Sequence, residues 1–183
     1  ATDAISYDYA VDDTSGCGSP LESGNTASST YTVSGSLGEG TYYVCVTAND
    51  AVTNPTVATN NNYTFTVDTS GPGSFSITAL TSNTTNDTTP ILDWEDATDG
   101  ITYDYAIDDT SGCGSPIESG NTASSTYTVS GALGEGTYYL CVTANDAVTN
   151  TTDATNNNYT FTVDTSGPGS FSITALTSNT TND

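Results

Sequence analysis

Residues 1–87 return, without a gap, as residues 97–183, with 79 of the 87 positions identical and a period of 96 residues. No other feature limits the fold so tightly, because whatever one period builds must be built again from almost the same side chains. The eight differences are Ala4/Gly100, Ser6/Thr102, Val11/Ile107, Leu21/Ile117, Ser36/Ala132, Val44/Leu140, Pro55/Thr151 and Val57/Asp153. Three of them exchange one aliphatic for another, as packed positions tolerate. A unit near 100 residues has the size of one β-sandwich domain and is too long for most solenoid repeats.

Within the period, the stretch that organises the rest is Gly136 to Asp146, GTYYLCVTAND, which is also present at Gly40 to Asp50. Period-two alternation puts Tyr138, Leu140, Val142 and Ala144 on one face and Tyr139, Cys141, Thr143 and Asn145 on the other, as in a half-buried antiparallel strand. Six further segments of the complete repeat surround it. Ser74 to Leu80 alternates with Phe75, Ile77 and Ala79 on one face, and Thr81 to Thr89 is a polar turn. Pro90 opens a second strand, Ile91 to Trp94, whose Trp is the only one in the chain and a natural core anchor. A third strand, Ile101 to Asp108, faces Ile101, Tyr103, Tyr105 and Ile107 inward, with Thr102, Asp104, Ala106 and Asp108 outward. A short fourth segment is expected near Ile117 and a fifth over Ser124 to Val129. Gly131 to Gly136 turns into the organising strand, Asn145 to Asn157 is a long polar loop, and Asn158 to Asp164 is the last strand. No stretch has a helical period.

Charge narrows the partners. With 22 Asp plus Glu and no Lys, Arg or His, the net charge is −22. Every carboxylate must be served by backbone N–H groups, hydroxyls, water or a bound cation, and mutual repulsion destabilises the chain at low salt. Nucleic acid is excluded as a direct partner, since phosphate binding depends on Lys and Arg. An anionic membrane surface is disfavoured for the same reason, and no apolar run approaches bilayer length. Disorder is not implied, because 12 Tyr, 4 Phe and many Val, Ile and Thr are strand formers.

The segments TTPILDWEDATDGITYDYAIDD, LGEGTYYLCVTANDAVTN and YTFTVDTSGPG resemble the immunoglobulin-like or fibronectin type III-like tandem repeats of large bacterial surface proteins and adhesins. The resemblance covers the whole repeat and implies tandem seven-stranded immunoglobulin-like (fibronectin III-like) β-sandwiches. In that family the Trp closes the second strand, Gly-Thr-Tyr opens the sixth, and Val-Asp-Thr links one domain to the next. Relatives often carry basic residues where this strand has Cys141 and Thr143.

Each repeat holds two cysteines 28 residues apart, Cys17 with Cys45 and Cys113 with Cys141. Cys141 lies on the outward face, and its partner follows the third strand, so this is not the core disulfide of antibody domains. The spacing favours the Cys113 loop folding back over the outer face to pair within the repeat. Reduced thiols and bonds between chains are the alternatives. Either kind of disulfide implies an oxidising, extracellular setting at the cell surface.

For catalysis, the missing His, Lys and Arg remove the Ser-His-Asp triad, the Cys-His pair, the Schiff-base lysine and the phosphate clamp. A carboxylate pair remains open, with Asp93, Glu95, Asp96 and Asp99 as the nearest cluster. A solvated acidic turn explains that cluster more simply, and the chain is read as non-enzymatic. Ca²⁺, which takes six to eight oxygen ligands, is the one cofactor considered. Its expected place is a domain junction, where Asp68 or Asp164 would meet Asp50 or Asp146, with Asp96 or Asp99 nearby. Hydrated carboxylates are the plainer reading. Asn-X-Ser/Thr triplets at Asn62, Asn83, Asn86, Asn150, Asn158 and Asn179 are possible glycan acceptors, although a chain rich in Asn and Thr forms many by chance.

The expected domains are residues 1–68, lacking the first two strands, residues 69–164, complete, and residues 165–183, a linker and the first strand of a further repeat. The favoured explanation is a window on a longer array. Completion of one chain by the tail of the next through strand addition faces a difficulty, since the tail has no counterpart of Ile91 to Trp94. The expected role is a repeat segment of an extracellular bacterial stalk, fibre or filament that self-associates head to tail. An adhesin module binding surface glycans or other cells through the Asp109–Pro116 or Asn145–Asn157 loops is the alternative, and a spacer in a secreted hydrolase the third.

Overall fold

In the computed structural model, residues 3–174 are described, and no helix occurs among them. The chain divides into two compact units, Ala1–Ser70 and Gly71–Asp183. The first contains β1 (Ser6–Asp12), β2 (Glu22–Thr26), β3 (Gly40–Asn49), β4 (Pro55–Val57) and β5 (Tyr63–Val67) in one antiparallel sheet, with β2, β1, β3 and β4 side by side and β5 also on β3. The second contains β6 (Thr84–Thr85), β7 (Ile91–Asp93), β8 (Thr102–Asp108), β9 (Glu118–Thr122), β10 (Thr126–Thr128), β11 (Gly136–Asn145), β12 (Thr151–Asp153) and β13 (Tyr159–Val163). Its larger sheet runs β6-β13-β11-β8-β9 with β12 also on β11, and β10 pairs with β7 in a second layer.

The organising strand behaves as its alternation predicts. On β11, Tyr138, Leu140, Val142 and Ala144 are buried, and Tyr139, Cys141 and Thr143 are half-buried on the other face. Opposite them, Phe75, Ile77, Leu92 and Trp94 close the core together with Tyr103, Ile107, Phe161 and Val163. Phe75 and Trp94 each meet the Tyr103 ring at 5.7 Å between centroids, Phe75 edge-on and Trp94 tilted, and aromatic quadrupoles favour the edge-to-face arrangement. The Tyr138 hydroxyl donates to the Gly134 carbonyl at 3.0 Å and fixes the turn into β11.

Six expectations need correction. Ser74 to Leu80 does not form a ladder strand, although Phe75, Ile77 and Ala79 are all buried. Its hydrogen bonds are split between two neighbours. Thr78 and Ala79 N–H both donate to the Asp93 carbonyl, Thr155 N–H donates to the Phe75 carbonyl, and only Ile77 bridges to Trp94. The segment near Ile117 is a full strand: β9, with no large apolar residue, pairs with β8 over five residues. The Asn145–Asn157 loop contains β12, and the Thr81–Thr89 turn contains β6, parallel to β13. Ile101 precedes β8 and is exposed, while Asp108, expected on the outer surface, is fully buried because the cysteine loop folds over it.

β9 survives without apolar side chains because of its neighbour. Gly120 sits opposite Tyr105, and a Cβ there would stand 2.7 Å from the Tyr105 hydroxyl. The tyrosine ring therefore lies across the glycine, where it stacks on Tyr127 at 4.0 Å.

The first unit repeats five of the larger sheet's six strands, all but β6, at the 96-residue offset. Its inner face is covered differently. Ile107, Leu140 and Val142 are buried, whereas Val44 and Val46, which occupy the positions of Leu140 and Val142, are half-buried. Among the described residues of this unit, nothing takes the part of Phe75, Ile77, Leu92 or Trp94. Without a β7 to pair with, residues 30–32 form no counterpart of β10.

Candidate functional site

Each unit builds three polar devices from its carboxylates, and all three follow from a chain with no cationic side chain to offer. The first is the cysteine loop. Cys17–Cys45 and Cys113–Cys141 are both bonded, with Cα–Cα distances of 6.2 and 6.3 Å. The bridge lies on the outer face, and the loop closes over Asp108. That carboxylate accepts Thr110 N–H at 2.8 Å and the Thr110 hydroxyl at 2.7 Å on one oxygen, and Ser115 N–H at 2.9 Å on the other. The Thr110 and Ser115 donors hold its carboxyl below the ordinary aspartate range despite burial. Asn158 completes the cradle, accepting Gly112 N–H at 2.7 Å and donating to the Ser111 hydroxyl at 3.0 Å. Cys113 itself has φ 51, a left-handed turn these anchors impose. Asp12, Asn62 and Cys17 repeat the arrangement.

The second is the loop after the organising strand. Asp146, almost fully buried, accepts Val148 N–H at 2.9 Å, Asn150 N–H at 2.8 Å and the Asn150 side-chain amide at 2.8 Å. Burial pushes its carboxyl up, but the Asn150 and Val148 donors leave it below the usual range. Asp50 makes the same three bonds to Val52 and Asn54, and the Asn54 donors lower it likewise.

The third device pins the way out of each unit. Glu39 accepts Thr69 N–H at 3.2 Å and the Thr69 hydroxyl at 3.0 Å, and the Ser70 hydroxyl also donates to it. These donors, Ser70 first, hold its carboxyl low. Glu135 accepts the Thr165 and Ser166 hydroxyls at 3.3 and 2.6 Å. The Asp68 and Asp164 carboxylates cap the same turns through Ser70 N–H at 3.1 Å and Ser166 N–H at 3.0 Å. Glu39 and Glu135 are absent from the expected site residues. Their signal is the recurrence of GEG about 30 residues before DTSGPG in both repeats.

Of the calcium candidates, Asp99 and Asp146 bring carboxylate oxygens within 4.8 Å of each other in the second unit, and Asp99 has φ 66. Asp50 serves the first unit's loop, and Asp96 and Asp164 are exposed. In the carboxylate cluster proposed for catalysis, Glu95 accepts Ser76 N–H at 2.9 Å, while Asp93 and Asp96 point to solvent. Among the glycan candidates, the Asn62, Asn150 and Asn158 amide nitrogens are committed as donors to Ser15, Asp146 and Ser111. Asn83 and Asn86 are exposed, with the Asn83 carbonyl accepting the Tyr159 hydroxyl. Asn179 lies outside the described residues.

Comparison with known proteins decides the family. The family model of the bacterial Ig-like domain matches residues 73–165, just over half of the chain. The chain belongs to that family. The bacterial Ig-like domain is a generally non-catalytic type, and the match spans the second unit from its cover segment to the end of its last strand. Among solved structures, the fibronectin(III)-like modules of Clostridium thermocellum CbhA are similar at 15% identity and a TM-score of 0.49, over 87% of this chain and 78% of that one. No curated protein matches the chain. The two disulfides fit an oxidising compartment. Among the described residues, no helix is long and apolar enough to cross a membrane.

Proposed function

We propose that this chain is a non-enzymatic segment of an extracellular stalk, fibre or filament, self-associating head to tail. The observation that carries the reading is the Glu39 and Glu135 device: in each unit the glutamate holds the Thr-Ser pair that follows the last strand. A protein that uses repeats for reach gains from such a clamp, whereas turnover does not need it. Near-identical duplication points the same way, since copies add length and valency. The −22 charge keeps strands of such material apart in solution. Ca²⁺ at Asp99 and Asp146 belongs to this proposal as the cation that offsets part of the repulsion.

Immunogold electron microscopy of intact cells with antibody raised to this chain tests the reading. Straight filaments decorated at a regular axial interval are expected. Label on a soluble secreted hydrolase instead would make the chain a spacer, and label confined to filament tips, lost with soluble glycans, would make it an adhesin module.

A further inference from the structure

We infer that the outer edge of the larger sheet, β2 in the first unit and β9 in the second, is a lateral docking site for the same edge of a second copy of this chain. The two strands have the identical sequence ESGNT and end the sheet order of their units, with β1 or β8 on one side and no ladder partner on the other among the described residues. In an antiparallel edge strand the N–H and C=O of every second residue point away from the sheet, and an open row of them is a template for another strand. Such edges are ordinarily blunted by Lys, Pro or another charged side chain. Residues 22–26 and 118–122 hold no Lys and no Pro, and their one charge is withdrawn.

That charge is the glutamate which opens each strand. Glu118 accepts the Tyr127 hydroxyl and Ser130 N–H, the latter at 2.9 Å. Glu22 accepts the Tyr31 hydroxyl and Ser34 N–H, the latter at 3.1 Å. Beyond these glutamates no carboxylate occurs in residues 23–38 or 119–134. Asp104, opposite Asn121 on the neighbouring strand, is held by two side-chain amides, Asn121 at 2.7 Å and Asn145 at 3.0 Å. Two chains that each carry a charge of −22 and no cation approach most readily where both are neutral, and this edge is such a place.

An exposed aliphatic beside each edge points the same way. Of the three aliphatic exchanges between the repeats, Val11/Ile107 and Val44/Leu140 fall at positions fully buried in the second unit. The third, Leu21/Ile117, keeps an aliphatic immediately before the edge strand, although the two residues are 56% and 52% exposed. Packing within a unit does not call for it, and a strand laid along the edge would cover it. The edge also complements itself. Read antiparallel about its glycine, ESGNT sets Gly120 against the partner copy's glycine and Ser119 against its asparagine, so two backbones meet where neither has a side chain and polar side chains pair across the strands. Main-chain hydrogen bonds give the affinity, as in strand addition. Each chain carries the edge twice, so pairing at one leaves the other free for a third copy.

This contact is lateral and goes beyond the head-to-tail reading above. Analytical ultracentrifugation of the full chain from micromolar to hundreds of micromolar, with NaCl raised to screen the charge, should show mass that grows with concentration. Amide hydrogen exchange in residues 22–26 and 118–122 should slow in step with it. Ser23→Asp with Ser119→Asp, both at exposed positions, puts a carboxylate into each edge and should weaken association at least about tenfold. Ser23→Thr with Ser119→Thr, neutral and better strand formers, should keep it. Trp94 fluorescence confirms that the second unit is folded in each variant. Association equally strong in the aspartate variant, or association that leaves exchange at both edges unchanged, would overturn this contact and leave the head-to-tail reading standing. A monomer at every concentration and salt would overturn it outright.

Discussion

Replacing Cys113 and Cys141 together by alanine should destabilise the second unit by about 3.5 kcal/mol. The bridge closes a loop of 28 residues, and the entropy it removes from the unfolded chain amounts to roughly 12 cal/mol/K for that length. The folded state should change little, because Asp108 and Asn158 anchor the same loop through Thr110, Gly112 and Ser115 whether or not the bridge exists. The loss therefore sits in the unfolded ensemble. For a unit of this size it corresponds to a fall in Tm of roughly 15–25 °C. The assay is thermal unfolding followed by tryptophan fluorescence, which reports this unit alone because Trp94 is the only Trp and is buried in its core. Cys17→Ala with Cys45→Ala serves as the control and should leave the Trp94 transition in place. A fall of less than about 5 °C, or an equal fall in the control, would refute the assignment of the stabilisation to loop closure within one unit.

Trp94→Ala should cost about 3–5 kcal/mol by cavity formation, and Trp94→Phe distinctly less, since its ring refills most of the cavity while the indole N–H, buried without an acceptor, is lost at no cost; chemical denaturation separates the two. The carboxyls of Asp50, Asp108, Glu118 and Asp146 are held below their ordinary range, so their stabilisation is complete above the unfolded-chain values and lost as pH falls through the folded ones. Tm should be flat from neutral pH to about 5 and drop below about 4; a rise on acidification would mean that relief of the −22 charge outweighs the lost hydrogen bonds. Raising NaCl should increase Tm by screening, and millimolar Ca²⁺ at fixed ionic strength should add an increment that Asp99→Asn abolishes; an unchanged increment in that variant would remove Asp99 from the cation's ligands.

What could be read from the sequence is what one strand encodes by itself. The alternation of β11 places Leu140 and Val142 inward and Cys141 outward, and a cysteine on that face within reach of the Asp109–Pro116 loop pairs there. What could not be read depends on partners. ESGNT has no apolar face, and β9 exists because Gly120 leaves room for Tyr105 and Glu118 binds the Tyr127 hydroxyl and the Ser130 N–H. Asp108 reads as a surface residue by alternation, and it is buried only because residues 109–116 fold back over it. Glu39 and Glu135 carry no local pattern, since their partners lie about 30 residues onward. Side-chain amides also take a share of the carboxylates that composition alone assigned to hydroxyls and water, as Asn121 and Asn145 do on Asp104.

The repeat turns this contrast into an internal control. Several contacts recur at the 96-residue offset: the Asp12 and Asp108 cradles, the Asp50 and Asp146 loops, and the Tyr9–Tyr31 and Tyr105–Tyr127 stacks. The contacts of the Phe75–Trp94 cover segment occur once among the described residues. Nearly identical sequence thus gives the same sheet but not the same core, and Val46 differs from Val142 in burial chiefly through what lies above it.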